Sequence, residues 1–324
     1  MTRLGRCTKK LEHPQWGTLC LVFLLLFSFF LLLRRADIAT DRMRSGLVLC
    51  ARAVVPSLFP FMVLSELLMA SGVGEWLTSF LAPPLRKLLG LSRPGCCAVV
   101  LGLICGFPVG ARCAILSYER GTISRDECER VLACSSIPSS AFLISTVGTT
   151  LWENANFGVH LYLCAIFSAL LSGFLLYVMK KKKTKEANKS ITSPMAPIRF
   201  DVGMLPKAVK NATMNILIIC AYVVFFSTLV GALELILVRF GATQNTTALL
   251  ASLLELSGGV SAAAGLGNHR FATALTGAAV GWSGLSVHFQ ILTLCDGYKI
   301  SMLPYFVAKL IQTVLCTLLI SLLG

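Results

Sequence analysis

Several ionisable side chains fall inside long apolar runs of this 324-residue chain: Arg52, Glu66, Arg112, Glu234, Glu255 and Lys309. A charge at bilayer depth is costly, so each must have a partner, a cavity or a task. Arg52 and Glu234 lie near segment ends, where a long side chain reaches the interface. Glu66 sits mid-run in Phe61-Met-Val-Leu-Ser-Glu-Leu-Leu-Met-Ala70 and must face a partner or a cavity. Arg112 closes an apolar stretch broken by glycines and a proline, and Glu255 opens one broken by glycines and serines.

Those two breaks have chemistry of their own. The first reads Gly102-Leu-Ile-Cys-Gly-Phe-Pro-Val-Gly-Ala-Arg112, the second Leu253-Leu-Glu-Leu-Ser-Gly-Gly-Val-Ser-Ala-Ala-Ala264. Pro108 removes a backbone donor and displaces the carbonyl four residues earlier, while Gly106 and Gly110 permit unusual backbone angles. Amides freed at a half-helix start suit a carboxylate, and Arg112 adds a bidentate fork beside them. Hydroxyls at Ser139 and Ser140, flanking Pro138, line the first half of such a site. In the second half Ser257, Gly258 and Ser283 do so, and Trp282 offers a flat face for a ring. The plainer alternative is a structural ion pair of Arg112 with Glu66 or Glu255, with the Ser/Gly stretches serving close helix packing.

Other chemistries find no support. The thirteen cysteines mostly sit in apolar runs as small hydrophobes, and Cys96-Cys97 reads as packing rather than redox chemistry. No Cys/His cluster has metal-ligand spacing. There is no Gly-x-Ser-x-Gly elbow and no nucleotide-binding loop, and the four histidines are scattered. Neither an enzyme nor an ATP-driven pump is expected, and no cofactor.

The elements that must position these groups are membrane segments. Hydrophobic residues make up 56% of the chain and charged ones 14%, with a mean hydropathy of +0.77. Globular chains are roughly 45–50% apolar, so this is an all-α polytopic membrane protein. Apolar windows near the ~20 residues that span a bilayer occur at 17–33, 46–71, 97–117, 137–151, 158–179, 211–238, 247–265, 271–291 and 302–323. The first follows a basic start and lacks a cleavage site, so it reads as an uncleaved span.

The net charge of +14 suggests nucleic acid, but its distribution argues against that partner. Residues 180–210 alone hold nine Lys/Arg against two acids, in a short loop between apolar blocks. That is the signature of a cytoplasmic loop. The chain therefore divides into residues 1–45 (basic start and first span), 46–179 (first membrane repeat), 180–210 (basic cytoplasmic linker) and 211–324 (second repeat). Each repeat runs long helix, broken segment, small-residue segment, long helix, pairing Ser135–Leu151 with Thr276–Leu292. Corresponding broken segments in two halves point to a carrier's binding site.

Four crossings per half put 118–136 inside and 72–96 outside, with parallel repeats. A hairpin at Pro56–Pro60 returns basic 72–96 to the cytoplasm instead, and an odd count of crossings inverts the repeats. Residues 118–136 read as a short surface helix, with Ser124 capping and Glu127 as its reciprocal partner.

Four stretches resemble a known family: Val55-Pro-Ser-Leu-Phe-Pro-Phe-Met-Val-Leu-Ser-Glu-Leu-Leu68, Gly106-Phe-Pro-Val-Gly-Ala-Arg112, Gly121-Thr-Ile-Ser-Arg-Asp-Glu127 and Ile144-Ser-Thr-Val-Gly148. They are similar to the sporulation integral membrane proteins of the YlbJ type, over roughly residues 40–323. That family is grouped with the nucleoside-recognition, or gate, domains. The chain departs from the family pattern in having Arg112 where Lys is commoner, and Ser135-Ser136 where Asn precedes the proline. The resemblance implies a transporter of a small anionic solute in endospore formation, carrying dipicolinate from the mother cell across the outer forespore membrane. The alternatives are a nucleoside or nucleobase carrier, and a non-transporting scaffold of the sporulation membrane. The expected partners are a small-molecule solute and the lipid bilayer, with homo-oligomerisation open.

Overall fold

The computed structural model describes residues 36–183 and 197–323, together with Phe30 and Arg34. The 17–33 stretch, Phe30 apart, and residues 184–196 of the basic linker lie outside the described residues. Within these the chain is helical, with no strand: an all-α polytopic membrane protein.

The first half opens with α1 (Ala36–Leu49) and α2 (Val55–Ser71), joined through a π-turn at Cys50–Val54. The run is continuous. Pro56 falls in the first turn of α2 and Pro60 is absorbed inside it, so no hairpin forms there. Gly72, at φ 77°, ends the run. Short helices α3 (Val73–Leu77) and α4 (Ala82–Leu89) lead to α5 (Arg93–Cys105), α6 (Phe107–Glu119) and α7 (Arg125–Ser135). A π-helix at Phe142–Leu151 and the long α8 (Ala155–Lys183) complete the half. The second half comprises α9 (Met204–Arg239), α10 (Gln244–Leu254), α11 (Leu256–Ala264), α12 (His269–Trp282), α13 (Gly284–Leu294) and α14 (Leu303–Leu323). Among the described residues α8, α9 and α14 are individually long and apolar enough to cross a bilayer.

The broken segments 97–117 and 247–265 are not bent spans but re-entrant hairpins. At Gly106, φ 97°, the chain reverses. α5 and α6 then lie so close that a Cβ on Gly102 would stand 2.8 Å from the Gly110 Cα. At Glu255 α10 and α11 fold back likewise, and a Cβ on Gly259 would stand 2.3 Å from the Ser252 Cα. The two segments that follow the hairpins are true broken spans. α7 unwinds at 136–139 before the π-helix, and α12 passes to α13 through Ser283 and Gly284, at φ 72° and 78°. The sequence pairing of these segments is displaced by a few residues, since the equivalent breaks are Ser136–Pro138 and Ser283.

This geometry revises the topology. At one end of the molecule Arg199 N donates to Ser71 O (3.0 Å), Arg130 Nη2 to Gly90 O (3.2 Å) and Ser301 N to Glu129 Oε1 (2.9 Å). Lys180 pairs there with Asp126 at 2.8 Å. Residues 72–92 and 120–130 thus share one basic end with the linker, because a hairpin returns the chain to the end it left. The opposite end holds the Arg42–Glu234 pair (2.7 Å) and the contact of Trp152 with His269. The α5–α6 hairpin enters from the basic end and the α10–α11 hairpin from the other. The halves are therefore inverted, the arrangement that places binding sites of many carriers at the repeat interface.

The polar island is also not a surface linker. Ser124 does cap α7, accepting from Glu127 N at 3.2 Å. The Glu127 carboxylate, however, does not reciprocate. It accepts from Ser92 N and Oγ at 2.5 and 2.6 Å, tying α7 to the start of α5. Val131, Leu132 and Ala133 are fully buried, which leaves this segment little surface for the docking that a scaffold would need.

Candidate functional site

Each hairpin tip abuts the break of the span that follows it. A Cβ on Gly106 would lie 2.9 Å from Ser139 N, and one on Gly284 would lie 2.9 Å from Leu256 N. Four interruptions, two from each half, therefore meet in the interior. Only backbone enclosed by protein or lining a cavity can be irregular at membrane depth.

Here it lines one. A cavity of about 50 Å³ is walled by Phe107 and Pro108 of the first tip, and by Glu255 and Ser257 of the second. Pro138 and Ser139 of the first broken span, and Val287 and Gln290 of α13, close it. The half-helix α6 starts at this cavity with no side-chain cap. The start of α11 is capped by the Glu255 carboxylate, which accepts from Ser257 N at 3.0 Å and Gly258 N at 2.6 Å. Helix starts carry partial positive charge, so one is available to a solute and the other is neutralised internally.

A wider cleft of about 200 Å³ adjoins the cavity, sharing Leu49, Glu255 and Ser257 with it. Arg42, Ser227 and Ser261 place its mouth toward the end opposite the basic loops. On the other side the space narrows to two pockets of about 10 Å³. One is bounded by Pro108, Asn215 and Gln290, the next by Asn215, Glu66 and Arg112. The track thus follows α9 through the molecule, open at one end and constricted at the other.

Of the residues singled out by sequence, Pro108, Ser139, Glu255 and Ser257 meet in the central cavity, and Gly258 lines the wide cleft. Gly106 forms the first tip; Gly110 packs against Gly102 and Ser135. Arg112 is directed elsewhere. Its Nε donates to Glu66 Oε1 at 2.8 Å and its Nη1 lies 3.7 Å from Glu119. Asn211 approaches Glu66 Oε2 at 3.4 Å. Glu119 also accepts from the Tyr298 hydroxyl, and this bond holds the phenol above its ordinary pKa. The ion-paired alternative for Arg112 is the one realised, with Glu66 rather than Glu255, at the constricted end of the track.

Three further assignments are structural. Ser140 Oγ donates to Ile104 O at 3.0 Å, outside the cavity. Trp282 Nε1 donates to Leu253 O at 3.0 Å and its ring meets His288 edge-on at 4.3 Å, so it pins α12 to α10 instead of facing a solute. Ser283 Oγ donates to Val280 O at 3.1 Å and accepts from Lys309 Nζ at 2.9 Å.

Two residues escaped the sequence reading of the site. Lys309 was visible as an intramembrane charge but had no assigned place. It is fully buried, and its ammonium also donates to Ser136 O and Gly281 O, the carbonyl ends of α7 and α12. Gln290 is 3% exposed; its Nε2 donates to Ser286 Oγ at 3.1 Å, while its Oε1 has no partner. A polar amide inside the apolar run Val287-His-Phe-Gln-Ile-Leu292 was the available signal.

The sporulation integral membrane protein YlbJ of Bacillus subtilis (strain 168) is 24% identical over 335 residues, covering 93% of this chain and 82% of the relative. No protein-family model matches the chain, and no solved structure matches it. The similarity extends over nearly the whole chain, and so over both halves rather than one stretch of apolar helix; the chain is thus similar throughout to a sporulation integral membrane protein of the YlbJ type.

Proposed function

We propose that the protein is a carrier that moves a small anionic solute across a membrane during endospore formation. Dipicolinate is the first candidate, passing from the mother cell across the outer forespore membrane. The supporting observation is the meeting of four helix interruptions around one cavity on a track through the molecule. The uncapped start of α6 supplies the positive end for a carboxylate. The adjoining cleft of about 200 Å³ exceeds the ~150 Å³ in which an engineered protein cavity holds benzene, so a single aromatic ring fits its size.

Complementation tests this. A spore-forming host lacking its own copy should regain dipicolinate-loaded spores when it expresses this chain. Spores that contain the protein at normal levels yet stay free of dipicolinate count against the reading. A nucleoside or nucleobase carrier is the second reading, favoured by the unpartnered amide oxygen of Gln290 beside the rings of Phe107 and Phe142. Uptake of labelled uridine or adenosine into proteoliposomes, with no uptake of dipicolinate, would select it.

Orientation follows from charge. Short basic loops resist translocation, so the end carrying Arg86, Arg125, Lys180 and Lys299 faces the cytoplasm, and the wide cleft opens away from it. On a background with the native cysteines replaced, Gln244→Cys should react with an impermeant thiol reagent from outside intact cells. Lys299→Cys should react only after permeabilisation. The reverse pattern would invert the map.

A further inference from the structure

The central cavity bears a single charge, and its sign is wrong for an anion. Among the described residues lining it, Glu255 alone is ionisable. The residue is 3% exposed, lines both the cavity and the wide cleft, and its carboxylate has backbone amides for partners. No Lys, Arg or His among the described residues forms an ion pair with it.

The surrounding elements do not neutralise it either. Arg42 of α1 is committed to Glu234 of α9 at 2.7 Å. Glu66 of α2 is committed to Arg112. Cys50 of the π-turn donates to the Cys220 carbonyl of α9. Lys309 of α14 lies behind the Ser283 break with its donors engaged by oxygen atoms. His288 of α13 is bonded through Nδ1 to Tyr305 at 2.8 Å. The ionisable residues of α12, His269 and Arg270, occupy its first turn, and α10 and the 142–151 π-helix carry none.

A second observation marks the place as a ligand site. Gln290 Oε1, on a side chain more than nine-tenths buried, has no hydrogen-bond partner and borders the same cavity. Glu255 and Gln290 Oε1 are both acceptors, so a bare carboxylate that meets the start of α6 and the hydroxyls of Ser139 and Ser257 still satisfies neither of them. A carboxyl group carrying a proton satisfies one, because two carboxylates held together in a poorly solvated site retain a proton between them.

We propose that a solute carboxylate binds against Glu255 as a carboxyl–carboxylate pair sharing one proton, so that each anion enters the site together with one proton from solution. The proton is held between two oxygen atoms, one of the solute and one of Glu255, and Gln290 Oε1 takes a bridging water. The inference rests on the anion reading above and adds the coupling to it.

Two measurements decide it. The first needs no solute. In a cysteine-depleted chain carrying Ser257→Cys, thiol modification is timed with sulfonate-bearing and trimethylammonium-bearing methanethiosulfonates. Glu255→Gln, whose amide oxygen can still cap α11, should lower the cation-to-anion rate ratio about tenfold by removing the charge. An unchanged ratio overturns the proposal. The second measures dipicolinate binding to the purified protein in weak buffer with a pH indicator. The expected result is one proton taken up per dipicolinate, an affinity falling about tenfold per pH unit on the alkaline side, and neither effect in Glu255→Gln. Binding without proton uptake overturns the coupling alone and leaves the anion reading standing. Absence of dipicolinate binding at every pH, with the charge effect present, overturns both.

Discussion

Lys309→Ala should cost about 3–5 kcal/mol of stability, because it strands buried acceptors and opens a cavity in one step. The Lys309 ammonium has three donors, and the structure uses them on Ser136 O, Gly281 O and Ser283 Oγ. Two of these are carbonyls at half-helix ends, where partial negative charge accumulates. One end belongs to the first half and the other to the second, so a single side chain from α14 holds both broken spans. Gln312, one turn on, adds a tie from α14 to the first half alone, donating to Ala133 O of α7 at 2.8 Å and Ser172 Oγ of α8 at 3.0 Å. Thermal unfolding in detergent measures the effect. Lys309→Met keeps most of the stem and should lose most of the stability too; if it unfolds with the parent, the carbonyls are satisfied some other way.

Gly102→Val is expected to prevent the α5–α6 hairpin from closing, at about 3 kcal/mol or more. A Cβ at Gly102 would stand 2.7 Å from the Ser135 carbonyl oxygen and 2.8 Å from the Gly110 Cα, and backbone in a hairpin cannot withdraw as a side-chain tip can. The readout is the fraction of membrane-inserted protein that extracts as a monodisperse species. Gly267→Ala is the control: nothing lies within 4 Å of its added carbon, and its effect should stay within about 0.5 kcal/mol. Normal extraction and stability of Gly102→Val would mean that the two half-helices do not pack through these glycines.

How far the site was legible depended on whether its chemistry was local. The breaks were readable at Gly106 and Pro108 because positive φ and a missing amide are properties of single residues. Glu255 was readable as an intramembrane acid, and Ser124 as a cap, for the same reason. Arg112 was read toward the solute because the sequence cannot show that Glu66, 46 residues earlier, stands 2.8 Å from it. Glu127 was given to Ser124 by its spacing, whereas its carboxylate reaches Ser92, 35 residues away. Gln290 is neutral and lies outside the Gly/Ser/Pro breaks, so nothing local singles it out, although a neutral amide with an empty acceptor marks a cavity as well as a charge does.

The sequence by itself determined the membrane character and the breaks near Gly106 and Glu255, since apolar length and backbone chemistry act within a few residues; the interruptions at Ser136–Pro138 and Ser283 emerged only in the structure. Only the tertiary structure decided which way the chain went after each interruption. At Gly106 and Glu255 it turns back, because Gly102 and Gly110, and Ser252 and Gly259, are small enough for two half-helices to touch. At Ser136–Pro138 and Ser283 it runs on, because Lys309 arrives from α14 to satisfy the carbonyls that each break exposes. Those choices inverted the halves and brought 72–92 to the basic end, and they rest on contacts between residues far apart in the chain.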